Sequence, residues 1–287
     1  MAGGKEITGK IQSIGNTMKV TAALETVSAS KIKKSQALMN ATRPYVRMMR
    51  RISGHIAKAN PEIRHPFTVE HETVEKVGYI IVSTDRGLCG GLNNNLFRKT
   101  LKDMSEWKAK DVDVAIVTLG KKASAFFKNI DVEMMGHVSG LGESPKLEDL
   151  IGAIRIMVEA YRDNGIQRLY IVTNLFINTM SQDPTITQML PLPPSEDTEM
   201  GEIWDYIYEP DAQTMLDEVA LRYIESLIYQ AVLENLASEH AARMLAMKNA
   251  TDNAGDLIDE LKLAYNKARQ AAITQEISEI VGGAAAV

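Results

Sequence analysis

Asp85-Arg86-Gly87-Leu88-Cys89-Gly90-Gly91-Leu92-Asn93 is the stretch of this 287-residue chain best placed for chemistry. It follows an apolar β-type run and precedes a helical one, where nucleotide folds hold phosphate on backbone N–H groups. Its glycines match neither familiar spacing: G-x-x-x-x-G-K-[ST] is absent, and G-x-x-G-G is not G-x-G-x-x-G. The same residues suit a tight strand-to-helix turn that needs a permissive backbone. Cys89 is the only cysteine. No histidine neighbours it in sequence, so it reads as a buried or half-buried thiol rather than a nucleophile. His55, His65, His71, His137 and His240 are scattered without metal-ligand spacing, and no Ser-His-Asp arrangement is legible. His240 reads as a polar helix residue. No metal and no cofactor is expected.

The bulk composition is that of an ordinary globular chain: 45% apolar, 24% charged, net charge −5. The charge is unevenly spread. Residues 1–60 carry eleven Lys/Arg against two acids, Glu6 and Glu25; residues 61–210 carry fifteen against twenty-three; residues 211–287 carry six against twelve. Lys31, Lys33 and Lys34 form one basic cluster, and Arg47, Arg50 and Arg51 another. With aromatics at only 6% and an acidic total, these clusters point to a protein partner rather than nucleic acid. A single cysteine excludes an internal disulfide and suits a reducing compartment. No apolar run approaches the ~18 residues of a spanning helix. The N-terminus is basic and amphipathic like a transit peptide, but Glu6 and the lack of arginine before Arg43 argue for a bacterial-type cytoplasmic chain with its native start.

The elements that position the glycine-rich motif lie in the middle of the chain. Residues 77–84, 112–119 and 168–176 read as buried strands; residues 185–192 and 204–208 are weaker strand candidates. Residues 93–107, 121–128 and 147–162 read as helices, the last with Pro145 near its start. Strands alternating with helices imply a parallel βαβ sheet.

The two ends have a different texture. Residues 211–287 contain no proline, enough for a helix of about 115 Å at ~1.5 Å per residue. Ile7, Ile11, Ile14 and Met18 step at coiled-coil spacing. The seam then passes to Val20, Leu24 and Val27, lapses over residues 28–36, and resumes with Leu38, Ala41, Tyr45, Met49, Ile52 and Ile56. Pro44 is expected to kink this helix or to cost it one backbone bond, and Asn60-Pro61 and His65-Pro66 to end it. In the C-terminal helix, Leu216, Val219, Tyr223 and Leu227 begin a stripe that later includes Leu257, Leu261, Ala264 and Ala268. Ile273, Ile277, Ile280 and Val281 make the last stretch apolar. The fold class is therefore α/β: long N- and C-terminal helices in an antiparallel coiled coil (1–60 and 211–287) plus a central Rossmann-like βαβ domain (61–210).

These segments resemble one family. KEITGKIQSIGNTMKVTAALETVSASKIKKSQ, VGYIIVSTDRGLCGGLNNNLF, NLFINTMSQDPTITQMLPLP, IWDYIYEPD and ENLASEHAARMLAMKNATDNAGDLIDELKLAYNKARQAAITQEISEIVGGAAAV are similar, in order, to the γ subunit of bacterial F-type ATP synthases. The resemblance covers essentially the whole chain. It implies a central-stalk rotor whose two terminal helices turn inside a hexamer of α and β subunits. The middle domain, with the ε subunit, would rest on the c-ring, at the cytoplasmic face of the inner membrane and without inserting into it. ATP chemistry would belong to the β subunits, leaving this chain without a catalytic site.

The resemblance also implies site residues. Leu24 is similar to the neck residue facing a catalytic-subunit loop, and Arg243 to a partner of that region. Arg269, Gln270, Thr274 and Glu276 match the contacts that catch a β subunit, and Tyr206, Tyr208 and Glu209 the foot that meets the c-ring. Ala22 and Leu24 depart from side chains common at the neck. The chain also lacks the two-cysteine insert of the chloroplast form and hence its redox switch. Two rival readings stand beside this one: a small nucleotide-binding enzyme with helical arms, supported only by the DRGLCGG loop, and a static coiled-coil scaffold. The basic cluster Lys31, Lys33 and Lys34 is expected to face acidic loops of the catalytic ring.

Overall fold

A computed structural model describes residues 2–59, 65–192, 209 and 211–285. In chain order it contains α1 (Ala2–Ala59), β1 (Lys76–Val82), α2 (Leu92–Lys108), β2 (Asp113–Leu119), α3 (Lys121–Phe127), β3 (Glu133–Val138), α4 (Glu148–Arg162), β4 (Arg168–Phe176), β5 (Gln182–Leu190) and α5 (Ala212–Ala285). These group into two compact units, one of Met1–Ala29 with Arg243–Val287, the other of Ser30–Ala242.

In the unit of residues 30–242 the sheet order is β3-β2-β1-β4-β5. β1, β2, β3 and β4 run parallel, whereas β5 pairs antiparallel with β4. The all-parallel expectation thus fails at one edge. A short turn at Asn178–Ser181 joins β4 to β5, and a connection that short permits only an antiparallel hairpin. β3 is absent from the expected strands. Its sequence EMMGHV has little β-branching, and as an edge strand it is only half-buried. The weak candidate at 185–192 begins earlier, at Gln182, and contains Pro184, which an edge strand tolerates. The candidate at 204–208 lies outside the described residues.

Alternation along β1 sends Val77, Tyr79 and Ile81 to one face, against Leu96, Phe97 and Met104 of α2 and Ala123 and Phe127 of α3. Ile80 and Val82 point to the other, against Leu150, Ile154, Met157 and Tyr161 of α4 and Ala220, Ile224 and Ile228 of α5. Each fully buried Ile or Leu contributes about 1.5–3 kcal/mol. Gly78 sits under the connection from α4 to β4: a Cβ there would lie 2.6 Å from Ile166 Cδ1.

Residues 231–240 of α5 are buried on every side. Several polar groups in and beside that stretch are matched to one another. Thr173 Oγ1 donates to the Ala231 carbonyl at 2.9 Å, Asn174 Nδ2 to Asn235 Oδ1 at 2.9 Å, and Ser238 Oγ to the Asn174 carbonyl at 3.0 Å. Within the same unit, α1 contributes Met39 against Leu233 and Ala237, and Arg43 bonds Glu234 at 3.5 Å. Pro44 lies inside α1, which continues through it to Ala59.

In the unit of residues 1–29 and 243–287, α1 and α5 pair antiparallel. Thr21 Oγ1 meets Thr251 Oγ1 at 2.7 Å, and Gly15 faces Ile258 Cδ1. Position n of α1 therefore lies level with about 272 − n of α5. The seam on α1 runs Ile7, Ile11, Ile14, Met18, Thr21, Glu25 and Ser28, and on α5 Met247, Thr251, Ala254, Ile258, Leu261 and Tyr265. Both alternate steps of four and three, the coiled-coil spacing. The expected transfer to Val20 and Val27 does not occur, for these are 59% and 47% exposed. On α1 the same step simply continues through Ile32, Ser35, Met39 and Thr42, filled by hydroxyl residues where apolar ones run out. Ile258, not the 44%-exposed Leu257, faces the partner helix. The hydroxyls of Ser28 and Thr251 donate to carbonyls of their own helices, Leu24 at 2.8 Å and Met247 at 2.9 Å.

Candidate functional site

The loop after β1 is built as a clamp. Asp85 accepts two backbone bonds, from Lys121 N–H at 3.0 Å and from Gly140 N–H at 2.9 Å, which ties together the loops that follow β1, β2 and β3. Thr84 Oγ1 donates to the Arg86 carbonyl at 2.6 Å and accepts from Asn93 Nδ2 at 2.7 Å. Cys89 is buried beside Asn93, whose amide nitrogen lies 3.4 Å from Sγ. Gly120 has φ +108°, and a Cβ there would stand 2.4 Å from the Ser83 carbonyl oxygen, so only glycine lets these loops approach. Leu88 is held in the left-handed region at φ +62° with its side chain 64% exposed.

Beside this loop, between α2 and α3, lies an open cleft of about 630 Å³, lined by Leu88, Phe97, Phe126 and Ile130 with Asn94 and Lys122. Phosphate binding needs free convergent donors, and here Asp85 is an acceptor engaged by two neighbouring loops, while the Asn93 amide is turned onto Thr84 and Cys89. The tight-turn reading of the motif accounts for each of these contacts. Among the described residues no group of three or more His, Cys, Asp or Glu is gathered to hold a metal ion, and no helix is long and apolar enough to cross a membrane.

The residues singled out by resemblance fall into separate places. In the helix-pair unit, Leu24 is half-buried and Arg243 buried. Arg269, Gln270, Thr274 and Glu276 are exposed on successive turns of α5. The step from Arg243 to Arg269 is about 39 Å along the helix at the standard rise. These six residues therefore form two stations rather than one site. α1 begins at Ala2, level with position 270, so Thr274 and Glu276 lie on α5 past the start of its partner. That overhang also carries Ile273, Ile277, Ile280 and Val281, the last two 71% and 62% exposed. Glu209 is exposed; Tyr206 and Tyr208 lie outside the described residues. His240 is a helix residue as expected, and it is buried.

Sequence reasoning also placed Lys31 toward an external acidic loop. Instead its ammonium pairs with Glu143, in the loop before α4. The hydrogen bond from Lys31 holds the Glu143 carboxyl below the usual range, with further help from the charges of Lys31, His240 and Arg86. Lys33 and Lys34 are exposed. Neither the Glu143 pairing nor the Thr21–Thr251 pair was legible beforehand. The signal for the second was the unbroken step of four and three through Thr21 and Ser28.

Comparison with known proteins bears on the whole chain. The ATP synthase family model matches residues 3–287. The gamma chains of ATP synthase from Xanthomonas campestris pv. campestris and Xylella fastidiosa are each 58% identical over 287 residues, covering 100% of both chains. Among solved structures, the central stalk and c-ring structure of Tetrahymena thermophila mitochondrial ATP synthase has a chain of similar fold, with TM-score 0.58 at 20% identity, covering 80% of this chain and 99% of that one. A chain in the OSCP/F1/c-ring structure of Euglena gracilis mitochondrial ATP synthase matches with TM-score 0.55 at 20% identity, over 95% of each chain. A full-length match at this identity, on a mixed five-stranded sheet with long terminal helices, leaves one assignment: the chain belongs to the ATP synthase gamma chain family.

Proposed function

We propose that this chain is the turning shaft of its ATP synthase and performs no chemistry itself. The observation that carries this reading is the helix-pair unit. Its seam is narrow, with the hydroxyl residues Thr21, Ser28 and Thr251 set among isoleucines and methionines, while its outer faces are mostly polar, with Val20, Val27, Leu257 and Leu263 exposed among them. A shaft that turns inside a ring must not adhere to one subunit, and such a surface meets that need. In this reading residues 1–60 and 211–287 are the shaft and residues 61–210 the foot. The α and β subunits surround the shaft, and ε and the c-ring bind the foot. The assembly sits at the cytoplasmic face of the inner membrane. Leu24 and Arg243 form one coupling station; Arg269, Gln270, Thr274 and Glu276 form another near the apolar end of α5; Tyr206, Tyr208 and Glu209 meet the c-ring. ATP is made or hydrolysed on the β subunits.

A tethered-rotation assay on the assembled complex tests this directly. Stepwise turning of a probe on this chain during hydrolysis is the expected result. Hydrolysis with the chain fixed relative to the β subunits overturns it. Micromolar nucleotide binding to the cleft beside Leu88 would restore the enzyme reading; the expected titration is flat.

A further inference from the structure

Within the unit of residues 30–242, the loop from 139 to 146 touches more elements than its length requires. At its start, Gly140 N–H donates to Asp85 Oδ2 at 2.9 Å, and Gly120 N–H donates to the Val138 carbonyl at 2.8 Å. In its middle, Glu143 pairs with Lys31 of α1. At its far end the Pro145 carbonyl accepts from Tyr229 Oη of α5 at 3.2 Å. Lys146 N–H then bonds Asp149 Oδ2 at 3.2 Å, entering α4. Leu141 and Leu147 pack on the core between these ties. Gly140 and Gly142 take φ +79° and +69°, and neither has an atom within 4 Å of where a Cβ would stand. Their glycines therefore serve the path of the backbone rather than close packing. One loop is thus bonded to the sheet edge and to both long helices.

We propose that residues 139–146 form a strap that fastens α1 to the sheet, with Lys31, Glu143 and Asp85 as its positioning residues. α5 is already held by the apolar face of the sheet, through Ala220, Ile224 and Ile228. α1 lies outside that core cluster and reaches the loop through Lys31. If this chain is the turning shaft, as proposed above, the strap makes the sheet and α1 turn as one body, and cutting it adds torsional play.

The test uses the purified ATP synthase complex with Lys31→Glu, Glu143→Lys and the double exchange. Reversing either charge replaces attraction with repulsion. Backbone amides of 139–145 are expected to exchange with deuterium about two- to fivefold faster in each single variant, the scale of a partly exposed ion pair, and to return toward wild type in the double. In single-molecule rotation with the probe on the sheet, the angular spread at each pause is expected to widen in both single variants and narrow in the double. Unchanged exchange in the single variants overturns the strap. Faster exchange with an unaltered angular spread overturns its positioning role. A wider spread in Lys31→Glu but not in Glu143→Lys overturns the pairing and returns Lys31 to an external partner. Should wild type itself not rotate, the shaft reading fails while the exchange result still decides whether the strap exists.

Discussion

One helix, α5, lives in two environments, and the contrast explains more than either half. Residues 231–240 are buried on all sides, with even Glu234, Asn235 and His240 enclosed. Beyond Ala272 every described side chain is exposed, isoleucines included. The first stretch is held by tertiary contacts on all faces. Among the described residues the second packs against no other element, so its helicity rests on propensity and on the cooperativity of a long helix already nucleated. Apolar residues thus stabilise the fold in one stretch and are left free in the other. A buried isoleucine belongs to stability, an exposed run of them to whatever the helix end meets.

Four measurements sharpen or break that contrast. Ile228 is fully buried, and Ile228→Ala should cost about 2–5 kcal/mol in urea unfolding. A cost under about 1 kcal/mol would erase the distinction. The next effect is alkaline. Burial pushes the Tyr161 phenol up to about 12, against an ordinary 10.0, with the Arg168 charge opposing. The neutral phenol is favoured in the fold, so this stabilisation is complete below pH 10 and is lost as pH rises toward the folded value. It amounts to about 2–3 kcal/mol. Tyr161→Phe should remove that share of the alkaline slope; an unaltered slope would show that the ring is not responsible. Burial, seconded by Asp103, raises the Tyr79 phenol as well, so some slope persists in the variant.

A smaller effect is expected in the helix pair. Thr21→Val or Thr251→Val should cost about 0.5–1.5 kcal/mol singly, and the double less than their sum, because either single variant already removes the contact between the two hydroxyls. The double should also loosen the register that a buried polar pair specifies. Cysteines at matched and mismatched levels would then cross-link with similar yield, whereas wild-type selectivity would count against a register role. The smallest effect is Ile277→Ala, within about 0.5 kcal/mol. A large loss of stability there would mean the overhang is packed after all.

Legibility followed the physics of each element. β4 was read at its observed limits because RLYIVTNLF is apolar and β-branched in one run. β3 was invisible because two methionines and Gly136 carry no strand pattern without their neighbour β2. The helix seam was misjudged for a clearer reason. Apolar residues alone do not mark it, because the chain keeps its step through Thr21, Ser28 and Ser35. These can be buried because their hydroxyls bond nearby carbonyls of the same helix. In sequence the glycine-rich motif suits a turn better than a phosphate loop, and Asp85 supports the turn by engaging both oxygens with neighbouring loops. The residues proposed for coupling carry no signature at all: Arg269 and Glu276 look like any exposed helix surface, and only resemblance marks them.

The Thr21–Thr251 contact joins residues 230 positions apart. During synthesis the first helix leaves the ribosome long before its companion exists. At ordinary elongation speeds of ~5–20 residues per second, that wait lasts roughly 10–50 s. Through that interval the row Ile7, Ile11, Ile14 and Met18 stands open to water and to other chains. The middle sheet can finish folding in the meantime, but the helix pair cannot begin. The end of translation, rather than the beginning, therefore sets when this molecule becomes safe from aggregation.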